Sequence, residues 1–90
     1  MPRRVYHFSG HVQGVGFRCT AKNISLQYDV NGYVKNLPDG RVEMLIEGQD
    51  QEIDQLVHDL NERMGDYIRK VDRHDDYPVA GEFHGFTIAR

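Results

Sequence analysis

The hydrophobic period of this chain switches from two to about 3.6 residues twice, and that double switch limits what it can fold into. Between Val5 and Val12 the pattern alternates, with Tyr6, Phe8 and Val12 on one side and His7, Ser9 and His11 on the other, which predicts a half-buried strand. From Phe17 the spacing changes, and Phe17, Ala21, Ile24 and Tyr28 fall on one helical face. Asp29, Asn31 and Gly32 end that helix and turn the chain. Extended runs at 32–37 and 41–47 follow, joined by the hairpin turn Leu37-Pro38-Asp39-Gly40. In the second run Val42, Met44 and Ile46 alternate with Arg41, Glu43, Leu45 and Glu47. Ile53, Leu56, Val57, Leu60 and Met64 then form a second helical stripe. Asp50 and Glu52 suit its positive end, Arg63 its negative end, and Gly65 stops it. Two further extended segments are expected near 67–74 and 83–89, separated by a loop through Tyr77, Pro78 and Gly81. Two amphipathic helices set between strands must both bury their stripes on one sheet face. The predicted fold is an open α+β sandwich of split βαβ type, an antiparallel sheet with two helices on one face and a short extra C-terminal strand.

Ninety residues hold one core, so residues 1–90 are read as a single domain. Apolar residues at 39%, charged residues at 28% and a mean hydropathy of -0.64 describe a globular chain rather than a disordered or fibrous one. The longest apolar run, Met44-Leu45-Ile46, is far short of the roughly 18 residues of a membrane span. Arg3 and Arg4 precede no apolar stretch, so no secretory signal is expected. A single cysteine excludes a disulfide scaffold and a zinc finger and fits a reducing cytoplasm. The net charge of -3 argues against a dedicated nucleic-acid binder. The charge is uneven, however. Residues 1–45 carry six Lys or Arg against three acids, and residues 46–90 carry five against eleven, so an anionic ligand would look to the first half.

That half contains Gly10 to Arg18, GHVQGVGFR, which joins a strand to a helix N-terminus. Glycines let successive backbone N–H groups turn toward one centre, the helix adds its positive end, and Arg18 adds a planar fork of donors. A phosphate-sized anion fits such a cradle. From residue types alone, a plain glycine-rich turn beside a surface arginine accounts for the segment equally well. It is no P-loop, because no lysine follows a glycine, and no dinucleotide loop, because Cys19 stands where the third glycine belongs. Cys19 follows Arg18 rather than preceding the loop, as a cysteine phosphatase would need, and is expected as a partly buried helix residue. In Gly32 to Glu43, GYVKNLPDGRVE, the odd residue is Asn36, a polar amide at a strand end. It either satisfies turn backbone or orders a water or a ligand oxygen. His7, His11 and His74 with Asp75 and Asp76 offer no close metal-ligand set, His58 and His84 read as surface residues, and no metal is expected. The acids from Glu47 to Glu62 read as a solvated helix face.

Taken together, the two segments resemble the acylphosphatases, whose motifs are GxVQGVxFR followed by GxVxNxxDGxVE. This chain carries Gly10, Val12, Gln13, Gly14, Val15, Phe17 and Arg18, then Gly32, Val34, Asn36, Asp39, Gly40, Val42 and Glu43. The closing Phe86, Thr87 and Ile88 agree as well, so the resemblance covers essentially the whole chain. It implies a ferredoxin-like fold, no cofactor, and metal-independent hydrolysis of the carboxyl–phosphate bond of small acyl phosphates. Arg18 and the backbone N–H groups of Gln13, Gly14, Val15, Gly16, Phe17 and Arg18 would hold the phosphoryl group, and Asn36 would position the water. Glu43 reads as structural or peripheral. A monomer with no nucleic-acid or membrane partner is expected.

The chemistry suits that residue set. An acyl phosphate releases a carboxylate whose conjugate acid has a pKa near ~4, so no general acid is needed at neutral pH. Its loose transition state needs little push from a base. Two departures from the family stand out: Asp29 replaces a frequent glycine and is expected to tolerate a left-handed turn. Gly65-Asp66-Tyr67-Ile68 replaces a frequent Gly-Pro turn and is expected to stay clear of the cradle. The alternative is a non-catalytic ferredoxin-like regulatory module that binds an anion. A version that reads RNA lacks its RNP1 pattern, and one that carries a metal lacks CxxC. An acylphosphatase-like domain of a larger carbamoyl-transfer protein is disfavoured by the chain's ending at Arg90. Asn36 separates enzyme from binder, because a pure phosphate binder has no use for a water-positioning amide.

Overall fold

The computed structural model describes residues 2–76 and 81–89, and in them the two strand-and-helix cycles close on one sheet. The elements are β1 (Arg3–Gly10), α1 (Phe17–Ser25), β2 (Val30–Asn36), β3 (Val42–Gly48), α2 (Asp50–Met64), a 3₁₀ turn (Gly65–Tyr67), β4 (Ile68–His74) and β5 (Phe86–Ile88). The strand order is β4-β1-β3-β2-β5. The first four strands pair antiparallel, as expected of a ferredoxin-like sheet, while the short β5 adds to the β2 edge in parallel. Of the loop expected between the last two strands, Tyr77 and Pro78 lie outside the described residues.

The helical stripes do what their spacing requires. Phe17, Ala21 and Ile24 from α1 and Ile53, Leu56 and Leu60 from α2 join Phe8, Val34, Met44 and Ile46 in one core, all at most 2% exposed. Each such Leu, Ile or Phe stabilises by about 1.5–3 kcal/mol relative to an exposed side chain. Arg4, also buried, ties β1 to α2: its guanidinium donates to Asp50 Oδ1 at 2.6 Å, Asp54 Oδ1 at 2.7 Å and Tyr6 Oη at 3.1 Å. Burial works against the charge on Arg4, but Asp54, Tyr6 and Asp50 outweigh it and hold the proton more firmly than usual. Past α1, Leu26, Gln27 and Tyr28 donate to Asn23, Ile24 and Ser25, a tightening of the last turn. The left-handed residue expected at Asp29 is absent, since no described non-glycine residue has positive φ; its N–H donates to Glu52 Oε1 instead.

The half-buried alternation expected of β1 is also corrected: Arg4 to Phe8 are buried without a break, as are Val42 to Ile46 of β3. These central strands are covered on the face away from the helices as well. Phe83 packs on Tyr33 with ring centroids 5.6 Å apart and lies under the Arg3 guanidinium, which donates to Gly81 O. His74 meets His7 edge-on at 5.1 Å. Beneath this cover Glu43 accepts from Tyr33 Oη at 2.7 Å, lies 2.8 Å from His7 Nε2 and has Lys35 Nζ 3.6 Å away.

That arrangement gives Glu43 a pH-dependent structural role. Burial pushes its carboxyl up, but the His7 and Tyr33 hydrogen bonds and the Lys35 charge together hold it below the usual carboxylate range. A pKa lower in the folded than in the unfolded chain adds stability that is complete above the unfolded value and is lost as pH falls through the folded one. Glu43→Gln should lower the urea midpoint at neutral pH, by about 1–3 kcal/mol of stability. The gap from the wild type should then narrow below about pH 4. A gap that widens on acidification would contradict the assignment.

Candidate active site

β1 ends at Gly10, where the close approach of β4 leaves no room for a side chain: a Cβ there would lie 2.4 Å from Tyr67 O. The next amide, His11 N–H, donates to the same Tyr67 carbonyl at 2.9 Å. The turn after α2, expected to stay clear of the cradle, therefore anchors its start. From Val12, which is buried, the chain rises to Gly14 and Gly16, both left-handed at φ 79° and 78°. Open space surrounds both glycines, so their requirement is backbone conformation, which a side chain would strain.

Gly16 is also the N-cap of α1, and no side chain caps that helix. The two helices treat their positive ends differently. The first turn of α2 holds Asp50 and Glu52, whereas that of α1 holds no acid and carries Arg18. A cation there is unfavourable to the helix dipole by about 0.3–1 kcal/mol, and the first-turn N–H groups lack an acceptor within the helix. Both features are what an external anion would satisfy.

A cavity of about 160 Å³ lies against this turn, lined by Val12, Gly14, Gly16, Phe17, Arg18, Cys19, Asn36 and Ile88. Among the described residues Arg18 is the one charged side chain lining the cavity, and no carboxylate side chain lines it. Among the described residues Arg18 forms no ion pair or side-chain hydrogen bond, so its guanidinium is not committed to the protein. Asn36 arrives from the other motif. As the last residue of β2 it pairs with Val42, whose side chain belongs to the helix-side core, so Asn36 shares the sheet face on which α1 sits.

The structure thus brings together Gly14, Gly16, Phe17, Arg18 and Asn36 of the residues expected at the site. Gln13 and Val15 do not line the cavity: Val15 packs against the core, and the Gln13 amide donates to Leu37 O and Arg41 O. Glu43 lies on the opposite face of the sheet, paired in register with His7. Cys19 is exposed rather than partly buried. At about 100° per residue it sits some 200° round the helix from Phe17, away from the buried stripe. Ile88 carries no local signal, because only the pairing of β5 with β2 brings it to the rim. Among the described residues no group of three His, Cys, Asp or Glu could hold a metal ion, and no helix is long and apolar enough to cross a membrane.

Known proteins share the family and the fold of this chain. The acylphosphatase family profile matches residues 4–88. The acylphosphatase of Syntrophus aciditrophicus is 45% identical over 91 residues, covering 98% of this chain and 93% of its own. That of Thermus thermophilus is 44% identical over 62 residues, covering 69% and 70%. The crystal structure of acylphosphatase from Bacillus subtilis superposes with a TM-score of 0.85 at 27% identity, covering the whole of both chains.

Proposed function

The chain belongs to the acylphosphatase family and is an enzyme of that kind, and from that premise we propose how its own residues hydrolyse a small acyl phosphate. The phosphoryl group sits in the cradle, its oxygens taking hydrogen bonds from the N–H groups at the start of α1 and from the Arg18 guanidinium. The Asn36 amide holds a water beside the phosphorus. The water oxygen attacks as the bond from phosphorus to the acyl oxygen breaks. The electron pair of that bond leaves on the carboxylate, and the water proton passes to a phosphate oxygen or to solvent.

Nothing more is required of the protein. The leaving carboxylate is a weak base with a conjugate-acid pKa near ~4, so no acid must protonate it. The loose transition state puts its charge on the equatorial oxygens, where preorganised donors act best. No step calls for a metal or a cofactor, and every group named comes from one chain.

The observation that carries this reading is the convergence on one cavity of an arginine not committed to the protein, an uncapped helix start and an amide from a separate strand. A binder would need the first two but not the third. Hydrolysis of benzoyl phosphate in heavy-oxygen water tests the route. The proposal expects the label in inorganic phosphate, because the phosphorus–oxygen bond breaks. Label in benzoate would mean attack on the acyl carbon and would remove the role given to the cradle.

A further inference from the structure

Gln13 lies within the cradle segment, yet its side chain turns away from the cavity, and both its amide hydrogens are engaged elsewhere. Nε2 donates to Leu37 O at 2.8 Å and to Arg41 O at 2.9 Å. These two carbonyls belong to the base of the β2–β3 turn, where Leu37 N–H also donates to Arg41 O at 2.8 Å. Leu37 is the residue directly after Asn36. One side chain therefore spans from the loop that forms the cradle to the backbone that carries the amide across from it. A primary amide is well matched to this bridge, because it offers two hydrogens to two acceptors without bringing a charge. Glutamate in the same volume would set its oxygens against two carbonyl oxygens.

We propose that Gln13 is a positioning residue, which fixes the place of Asn36 relative to the phosphoryl cradle. The proposal rests on the roles given above to Arg18 and Asn36. Its physical content is that an attacking water must be held in line with the breaking bond, and a displacement of about 1 Å can cost about a hundredfold in rate. Phosphate binding in that reading depends on the backbone N–H groups of Gln13 to Arg18 and on the Arg18 guanidinium, none of which Gln13 Nε2 touches. Losing the clamp should therefore slow turnover while leaving phosphate affinity nearly intact.

The test is a cycle of wild type, Gln13→Glu, Asn36→Ala and the double variant. It measures kcat for benzoyl phosphate and the inhibition constant of inorganic phosphate, with folding checked by urea titration. Gln13→Glu is expected to lose about tenfold to a hundredfold in kcat at neutral pH. The phosphate constant is read in the uncharged Gln13→Leu, where kcat should fall similarly and the constant should change less than about threefold. The double variant should be no slower than Asn36→Ala, because Gln13 acts through Asn36. The loss in Gln13→Glu should also shrink toward about pH 5, as the carboxyl facing two carbonyls takes a proton and donates once. In Gln13→Leu, which cannot donate, the loss should not vary with pH.

Full activity in Gln13→Glu, equal losses of kcat and phosphate affinity in Gln13→Leu, or losses that multiply in the double variant would each overturn the proposal. The failure of the underlying reading looks different. Asn36→Ala at wild-type speed would remove Asn36 from the mechanism whatever Gln13→Glu does.

Discussion

Arg18→Ala is expected to fold as the wild type does and to lose acyl phosphate hydrolysis by about a hundredfold to a thousandfold, roughly 3–4 kcal/mol of transition-state binding. The stability side follows from its surroundings. Arg18 stands in the first turn of α1, where a cation opposes the helix dipole, and among the described residues it has no ion pair to lose. Removing it should leave the urea midpoint unchanged or raise it slightly, by up to about 1 kcal/mol. The activity side follows from the cavity, in which Arg18 is the one charged side chain among the described residues. Inorganic phosphate should also bind more weakly, because in the proposed mechanism the guanidinium meets ground-state as well as transition-state oxygens. A folded Arg18→Ala protein with kcat/KM within about threefold of wild type would sink the assignment.

Asn36→Ala should fail differently. Asn36 lines the cavity from the end of β2, and in the mechanism proposed above its amide meets the water rather than the phosphoryl oxygens. Its removal should lower kcat by about a hundredfold or more, the usual cost of one preorganised polar group. The inhibition constant of phosphate should stay within about threefold, since the cradle and Arg18 remain. Stability should change by no more than about 0.5 kcal/mol, as for a surface substitution outside any network. Asn36→Asp is the sharper control: the same shape with a negative charge beside an anionic substrate should weaken phosphate binding as well as turnover. If Asn36→Ala raised KM and left kcat untouched, Asn36 would be a binding residue and the water would need another holder.

What the sequence disclosed about the fold was what a hydrophobic period can report, namely which residues of an element share a face. Phe17, Ala21 and Ile24, and Ile53, Leu56 and Leu60, were legible as buried stripes because a helix buries one side. The period could not say what lies on the other side of a strand. Val5, His7 and Leu45 are buried on the sheet's second face, where Gly81 and Phe83 meet Arg3 and Tyr33 and His74 meets His7, contacts made by residues far along the chain. The site was legible to the same degree. Gly14, Gly16, Arg18 and Asn36 stand out by type, the glycines by backbone demand and the other two as polar groups at element ends. Ile88 reaches the rim through a parallel pairing that leaves no mark on local spacing. The sequence singles out Gln13 for its backbone N–H in the cradle segment, whereas the service of its side-chain amide to Leu37 and Arg41 shows only in the folded hairpin.

The measurement that bears most directly on the whole account is the hydrolysis of benzoyl phosphate at neutral pH with a chelator in excess. In the proposed mechanism the cradle, Arg18 and Asn36 supply every group, so turnover is expected to proceed in proportion to enzyme, unaffected by the chelator and competitively inhibited by inorganic phosphate. A folded protein that binds phosphate without turning the substrate over, or one whose turnover stops with chelator and returns with added metal, would contradict it.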